Sequence, residues 1–351
     1  MRQLYFILPS FICVLMWSCV DQIDFSVPAG GSEDIAISGR LIKGDTSEVR
    51  VLISNIFDFS ADGRRAITVR DPILRDDLGR SITLERTDLS EYGAVIPPDS
   101  DMPIEFGRAY SLEVSLFDGR RFVSAFETLL PSPPIAAANW SIVDQDVIGS
   151  DGSLQTNERI SIQIDSDLIV SGERAGLLWE LQRTWKLTDN SRDMRSCYIP
   201  ENVSGSSVIT LDATELQDGR LENYELLRLP VDPRLAQGTL IEVNQYSLTP
   251  SASDYWTNVD LLLSKTGNMF DAPSSRIGSN FSSIGDSTTN VFGYFFVTEL
   301  QQSFIKIDSL DFGSLSTFCE AATPSAENPC PFSCCDCTEI PDISTTPPPN
   351  W

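Results

Sequence analysis

Cysteine is the residue type with the clearest potential for chemistry in this sequence, and its positions are uneven. Five of the eight cysteines fall between Cys319 and Cys337, close to the end of the chain. Zinc binding is one interpretation, because Cys330, Cys334 and Cys337 have spacings typical of zinc ligands. A redox Cys-x-x-Cys motif from Cys334 to Cys337 is a second interpretation, and a set of disulfides is the third.

Disulfides are the interpretation that the other observations favour. Cys13 and Cys19 belong to the export signal that is described below, and six cysteines remain without them. An even number of cysteines is typical of disulfide frameworks in exported proteins. The crowded Cys334-Cys335 pair disfavours zinc, and no βαβ pattern surrounds the Cys-x-x-Cys motif. We therefore predict that the disulfide cysteines are Cys197, Cys319, Cys330, Cys334, Cys335 and Cys337.

The pairing of these cysteines stays open. Adjacent residues of an extended chain point to opposite sides, so Cys334 and Cys335 are expected to reach different partners, and Cys197 is a candidate for one of them. A bridge from Cys197 to the tail would close a very long loop, for which the chain-entropy gain is on the order of 4–5 kcal/mol. The tail, residues 319–351, is thus predicted to be held against the preceding domain.

Histidine is absent from all 351 residues. Its absence removes the commonest general base and the commonest neutral metal ligand, and it excludes Ser-His-Asp and Cys-His catalytic arrangements. Asp and Glu number 50, so some carboxylates lie close together by chance and a glycosidase-like pair cannot be inferred. We predict no catalytic residue, no cofactor and no enzymatic activity.

One acidic stretch, residues 144–158, contains oxygen ligands of the kind that calcium prefers. Asp144, Asp146 and Asp151 are its calcium candidates. Their spacing does not match an EF-hand loop, and Asp and Gly are ordinary turn residues in a chain this acidic. A solvated acidic loop is the favoured interpretation, and no metal site is predicted.

The charge of the chain limits its partners. The formal net charge is −25 and the pI is about 4.2, whereas binding to nucleic acid requires clustered Lys and Arg. The sequence therefore predicts no nucleic-acid partner. The negative charge is typical of a secreted or surface protein that is kept soluble by repulsion between its own molecules, or of a protein whose partner has a basic face.

The first residues have the pattern of an export signal. Arg2 precedes an apolar run, residues 4–17, that is too short to span a membrane comfortably. The run ends in Leu-Met-Trp-Ser-Cys, which resembles a bacterial lipobox and predicts lipidation at Cys19 after removal of residues 1–18. The loss of Arg2 would change the net charge from −25 to −26. The alternative is a plain signal peptide with a chance cysteine.

Alternating apolar and polar residues predict a mainly β fold. After an anchored linker, residues 19–33, about seven short strands in residues 34–130 predict an immunoglobulin-like or transthyretin-like β-sandwich. Prolines in residues 131–137 cannot pair in a central strand and predict a connector. Residues 138–318 are then a second β-rich domain.

The second region contains one predicted helix, residues 250–265. Thr249 has the residue type of an N-cap, and Pro250 occupies the first helical position, where its missing N–H costs nothing. The tryptophans Trp179, Trp185 and Trp256 lie within strand or helix patterns and are expected in the core. Trp351 ends a proline-rich segment, so it must dock on the protein or serve as an interface anchor.

The order of several segments resembles the Bacteroidetes outer-membrane lipoproteins grouped as domain of unknown function 4249. These segments include CVDQIDFSVP, DDLGRSITLER, FGRAYSLEVSLFDGRRFVSAFETLLPSPPI, QYSLTPSASDYWTNVDLLLSKTG, NVFGYFFVTEL and CCDCTEIPDISTTPPPNW. The ending Pro-Pro-Pro-Asn-Trp departs from the Pro-Asp-Phe-Trp of many members. The resemblance implies a two-part β-rich lipoprotein, found beside TonB-dependent receptors, with no assigned catalytic residue.

These observations together predict a non-enzymatic lipoprotein that is lipid-anchored in the outer membrane and exposed at the cell surface. Its expected role is that of an accessory or binding partner of a TonB-dependent receptor or a related barrel complex. The alternative is a stand-alone surface binding protein that captures a glycan, a peptide or a chelate.

Overall fold

The computed structural model describes most of the chain between residues 34 and 351. The described residues are 34–55, 67, 69–149, 152–170, 172–174, 176–190, 193–204, 207–212, 216, 218–264, 277–285, 289–313, 315–319, 334 and 336–351. Strands dominate the described residues, which also contain the helix α1 (Pro250–Leu263) and short 3-10 helices at Pro233–Leu235, Ser309–Phe312 and Cys337–Glu339. The predicted mainly β fold is confirmed. No helix among these residues is long and apolar enough to cross a membrane.

Ten strands form one large sheet that contains residues from both halves of the chain. Its main path runs through β15 (Ser196–Asn202), β14 (Gly176–Thr188), β18 (Thr239–Leu248), β21 (Phe295–Ile307), β1 (Ile35–Lys43), β2 (Ser47–Asn55), β6 (Glu91–Ile96) and β5 (Glu85–Arg86). Two further strands pair beside this path, namely β16 (Ile209–Leu211) with β14 and β20 (Val291–Phe292) with β1. The pairs of β1 with β20 and β21 are parallel.

A six-stranded sheet covers one half of the large sheet and completes a β-sandwich. Its strands are β19 (Phe281–Ile284), β8 (Arg121–Ser124), β7 (Ala109–Ser115), β3 (Ile73–Asp76), β4 (Ser81–Thr83) and β9 (Glu127–Thr128). Alternate residues of β1 point into the shared core, where Ile35, Ile37 and Leu41 are fully buried. A turn at Asp118-Gly119 joins β7 to β8, and Gly119 adopts a φ of +98°.

A three-stranded sheet covers the other half of the large sheet on the same face. It consists of β10 (Ile135–Ile148), β11 (Leu154–Asp167) and β17 (Arg220–Pro230), and a small hairpin, β12 (Ile169–Val170) with β13 (Glu173–Arg174), follows β11. Strand β21 spans both cores, because Val297 packs in the first and Ile305 and Ile307 pack in the second. These three residues share one face of the strand, since they are separated by even numbers of residues.

The proline-rich connector crosses the large sheet between the two cores. Gln245 and Ser247 of β18 donate side-chain hydrogen bonds to the carbonyls of Pro133, at 2.7 Å, and Leu130, at 2.8 Å. The backbone N–H of Ser132 donates to Glu299 of β21 at 2.8 Å. The large sheet therefore continues past the connector, and strands β19, β20 and β21 from the second region complete the sandwich expected from residues 34–130 alone.

Helix α1 packs on the opposite face of the large sheet. The Thr249 hydroxyl caps it by accepting a hydrogen bond from the N–H of Ala252 at 3.2 Å, and Pro250 is the first helical residue. The helix ends at Leu263, two residues before the predicted end. Gly176 permits the close packing, because a Cβ there would lie 2.8 Å from the Ser253 hydroxyl oxygen.

Candidate functional site

Two disulfides hold the C-terminal tail to the body of the protein. Cys197 on β15 pairs with Cys337, and Cys319 pairs with Cys334. Disulfides are therefore present, as the cysteine count predicts, but the residue that reaches Cys197 is neither of the adjacent cysteines proposed for it. Because Cys334 and Cys337 have different partners, they form neither a redox pair with each other nor a pair of zinc thiolates. Cys330 and Cys335 lie outside the described residues.

Backbone hydrogen bonds reinforce the disulfides. Tyr198 on β15 and Ser344 in the tail exchange a pair of N–H to carbonyl bonds, of 2.8 and 3.1 Å. The N–H of Asn190 donates to the carbonyl of Cys334 at 2.8 Å, and Arg195 forms an ion pair with Asp336 at 3.0 Å. A hydrogen bond from Thr338, joined by the charge of Arg195, lowers the pKa of Asp336. The tail is thus attached along much of its described length.

Trp351 docks on the body of the protein. Its ring meets the Tyr198 ring edge-on, with 4.8 Å between the ring centroids. It also lies over Gly238, where a Cβ would be 3.6 Å from the indole ring. Trp351 remains partly exposed, so it packs on the second region and keeps some surface at the end of the tail.

The acidic stretch is a β-hairpin, and the prediction of a loop over residues 144–158 is wrong. Strands β10 and β11 pair up to Ile148 and Leu154, and a tight turn with Gly152 at a φ of +80° connects them. Asp146 accepts a hydrogen bond from Thr156 at 2.6 Å. Asp144 lies opposite Glu158, and Asp151 is outside the described residues. Where side chains are described, no group of three acidic or cysteine residues could hold a metal.

The outer part of this hairpin extends beyond its sheet. Strand β17 pairs with β11 only as far as Arg159, which lies opposite Pro230. Residues 144–148 and 154–158, which we call the ribbon, pair with each other and, within the described chain, with no further strand. Ile148 and Leu154 near its tip are 78% and 70% exposed. The ribbon therefore presents apolar side chains and unpaired strand edges to solvent.

A second candidate surface is a groove on the open face of the large sheet, beside helix α1. Its volume is about 270 Å³, and its lining residues are Ser38, Gly39, Arg40, Arg50, Val51, Leu52, Glu91, Glu180, Trp256 and Phe296. An adjoining hollow of about 500 Å³ shares Arg50 and Glu91 with it. Sequence analysis does not find this groove, because its residues come from six elements and follow no local motif.

Polar side chains at the groove are held in fixed positions. Arg40 donates to both carboxylate oxygens of Glu180 at 2.9 Å, and the Tyr246 hydroxyl donates to Glu180 at 3.1 Å. The Arg40 guanidinium also lies over the Tyr246 ring, 5.4 Å from its centroid. Burial, with Glu180 as a further cause, raises the pKa of Tyr246 well above its ordinary value. Tyr246 therefore stays a neutral hydrogen-bond donor at physiological pH.

Trp256 forms the helical wall of the groove. Trp179 and Trp185 are buried, as expected, whereas Trp256 is partly buried and packs against the buried residues between α1 and the large sheet. Its ring meets Phe296 edge-on, with 5.8 Å between the centroids. The indole N–H is enclosed and has no hydrogen-bond partner among the described residues. Such a donor costs about 1–3 kcal/mol when it is left unpaired.

A buried carboxylate lies behind the same helix. Glu127 on β9 is 3% exposed and accepts hydrogen bonds from Thr249 and Tyr294, both at 2.5 Å, and from Ser251 at 3.2 Å. Burial, together with the bond to Glu127, raises the pKa of Tyr294. This cluster joins the sandwich to the start of α1. Because its groups are enclosed and mutually bonded, it supports the fold and offers no access to a ligand.

The fold, the disulfide-bonded tail and the two exposed surfaces define a β-rich protein with a strand ribbon and a groove open to solvent. A comparison with family profiles finds a match to Domain of unknown function (DUF4249) over residues 21–303. The chain belongs to this family. The match includes the first core and most of the second; it begins after Cys19 and ends before Ile305, Ile307 and the tail. No curated protein matches the chain.

Proposed function

We propose that this protein is a non-enzymatic lipoprotein of the outer membrane, anchored through Cys19 and exposed at the cell surface. It acts as an accessory or binding partner of a TonB-dependent receptor or a related outer-membrane barrel complex. The observation that carries this proposal is the ribbon formed by the ends of β10 and β11, which extends beyond its sheet.

The ribbon has the properties of an element that docks on another protein. Unpaired strand edges are templates for pairing with a further strand, and exposed apolar side chains such as Ile148 and Leu154 are stabilised when a partner covers them. Asp144, Asp146 and Glu158 are exposed beside them. An acidic, apolar ribbon fits a partner surface with a basic rim, and the charge complementarity would favour encounter and register.

Weakening the ribbon is expected to release the partner. We expect the wild-type protein, purified from detergent-solubilised outer membranes, to bring a barrel protein with it. Replacing both Ile148→Ser and Leu154→Ser removes the exposed apolar contacts and should lower the recovery of the barrel at least about tenfold. The measurement is quantitative mass spectrometry of the co-purified proteins.

The matched control replaces two exposed leucines elsewhere, Leu78→Ser and Leu310→Ser, which are 62% and 85% exposed. It should leave the recovery of the barrel unchanged. Equal recovery with the ribbon variant and the control variant, or a wild-type protein that purifies without any barrel, would exclude the ribbon as the docking element.

The anchor has a separate test. Protein extracted from membranes is expected to have the intact mass of residues 19–351 plus the acyl groups of a lipoprotein, and Cys19→Ala should abolish both the cleavage and the added mass. An unmodified Cys19, or cleavage at another position, would refute the anchor.

The second candidate function is a stand-alone surface binding protein that captures a glycan, a peptide or a chelate. The groove beside Trp256 favours it, because the groove is a preformed concave surface with polar groups held in fixed positions. A lone lipoprotein that retains a ligand during purification would support this candidate over the first.

A further inference from the structure

We propose that one end of the β-sandwich rests on the phospholipid surface of the membrane that holds the Cys19 anchor. This inference rests on the lipid anchor of the proposed function and adds the face that the protein turns towards the membrane. It is carried by exposed apolar side chains and arginines at the end of the sandwich where the predicted linker, residues 19–33, joins the described chain.

Strand pairing collects several loops at this end of the sandwich. Asp34, directly before β1, accepts hydrogen bonds from Asn290 at 3.1 and 3.2 Å. Ile53 near the end of β2 donates its N–H to Ser90 in the loop between β5 and β6. Ile284 at the end of β19 pairs with the first residue of β8, directly after the turn between β7 and β8. We call this region the linker end, and its described residues are 34, 70–71, 86–90, 116–121, 284–285 and 289–290.

Three apolar side chains protrude from the linker end. Phe117, Leu89 and Ile284 are 63%, 69% and 47% exposed, and they come from three different loops. The Arg70 guanidinium lies over the Phe117 ring, 5.8 Å from its centroid. Arginine beside an exposed aromatic ring is typical of surfaces that lie at a membrane interface, where the ring enters the headgroup layer and the cation meets the phosphates.

The linker end has no excess of negative charge among its described residues, although the net charge of the chain is −25. Its arginines and aspartates are equal in number, namely Arg70, Arg86, Arg120 and Arg121 against Asp34, Asp71, Asp88 and Asp118. Arg121 pairs with Glu113, which Arg75 also neutralises. Arg70 and Arg86 are exposed, and among the described residues they make cation–π and main-chain contacts rather than ion pairs. These two guanidinium groups can bind lipid phosphates.

The opposite end of the same sandwich, residues 43–46, 77–80 and 97–108, has a different charge. It also exposes two apolar side chains, Leu78 and Phe106. Its exposed acids are Asp45, Asp77, Asp99, Asp101 and Glu105, whereas its cations are Lys43, Arg80 and Arg108. Charges interact over only about 8 Å at physiological ionic strength, so each end meets a membrane with its own local charge. An anionic surface would therefore repel this end and accept the linker end.

The anchor would keep the linker end close to the membrane. Residues 19–33 span at most about 50 Å when fully extended, and tethering raises the effective concentration of the attached surface, so even a weak contact is populated. Strand β1 has nine residues and is therefore about 30 Å long. When the linker end touches the membrane, the opposite end lies beyond the reach of the lipid headgroups.

The test maps lipid contacts of the full-length lipidated protein in liposomes. The liposomes contain phosphatidylethanolamine, phosphatidylglycerol and a trace of a phospholipid with a diazirine near its headgroup. After illumination, mass spectrometry of peptides locates the residues that carry crosslinked lipid. We expect labelling of residues 116–121 and 281–285 at the linker end, and little labelling of residues 97–108 at the opposite end.

Replacing both Phe117→Ser and Leu89→Ser removes two of the apolar contacts, and it should lower the labelling of residues 281–285 at least about fivefold. The matched control, Phe106→Ser with Leu78→Ser, changes exposed apolar residues of the opposite end and should leave the labelling unchanged. Both variants should recover a barrel partner as the wild type does.

The outcomes separate this inference from the anchor. A protein that lacks the acyl mass and does not float with the liposomes would refute the anchor and this inference together. A floating protein whose two ends are labelled equally, or whose labelling is the same in both variants, would overturn this inference and leave the anchor standing. Loss of the barrel from the Phe117→Ser, Leu89→Ser variant would show that the linker end binds a protein instead of lipid.

Discussion

Replacing Gly293 with alanine is expected to destabilise the protein by about 2–5 kcal/mol. Gly293 lies between β20 and β21, which both pair with β1, and its φ is +92°. A Cβ at this position would lie 2.1 Å from the carbonyl oxygen of Ile37 and 2.8 Å from its carbonyl carbon. These atoms belong to the backbone of a central strand, so they cannot move aside without disrupting the large sheet.

The measurement for this prediction is the free energy of unfolding in urea. Gly119→Ala is the matched control, because Gly119 has a similar φ of +98° but no atom within 4 Å of the position of a Cβ. The control variant should lose only the cost of the positive φ, about 1–2 kcal/mol. If the two variants are destabilised equally, the close approach of Gly293 to the Ile37 backbone adds nothing to the cost of the positive φ.

Removing the Cys197–Cys337 disulfide is expected to have the second large effect. The bridge closes a loop with a sequence separation of 140, whereas the Cys319–Cys334 bridge has a separation of 15. Chain entropy assigns at most about 4–5 kcal/mol to the long loop and about 3 kcal/mol to the short one. The double variant Cys197→Ser with Cys337→Ser should therefore lose more stability than Cys319→Ser with Cys334→Ser.

Limited proteolysis with and without a reducing agent tests whether these disulfides attach the tail to the wild-type protein. Dithiothreitol should release the tail for cleavage after residue 319, and a chelator should not. Release of the tail by the chelator alone would contradict the disulfide account and would indicate a metal site. A reduced protein whose tail stays fully protected would show that the backbone pairing of Tyr198 with Ser344 is sufficient to hold the tail.

Local patterns predict the strands of this protein well where one side faces a core. Residues 34–43 alternate in the sequence, and β1 occupies Ile35–Lys43 with its apolar residues buried. The helix start at Thr249-Pro250 is also predicted, because an N-cap and a first-turn proline are local signals. The sequence does not predict the ribbon, because many of its residues are polar and exposed. The ribbon forms through pairing between the two strands of the hairpin.

Long-range pairing is what the sequence does not reveal. The parallel contact of β1 with β21 joins residues more than 250 positions apart and places the second region inside the sandwich. The ion pair of Arg40 with Glu180 likewise joins residues 140 positions apart. The cysteine count predicts disulfides, but only the fold determines that Cys337 reaches Cys197. The candidate groove depends on such contacts, because Glu180, Trp256 and Phe296 reach strands β1 and β2 from distant parts of the chain.

Site-specific photo-crosslinking in intact cells tests the central claim most directly. A photoreactive residue in place of Ile148, at the tip of the ribbon, is expected to crosslink to a TonB-dependent receptor or a related outer-membrane barrel. The same residue in place of Leu310, which is 85% exposed on another part of the protein, should give little of that product. The absence of a barrel crosslink at position 148, or an equal yield at both positions, would contradict the proposal that the ribbon binds a barrel partner.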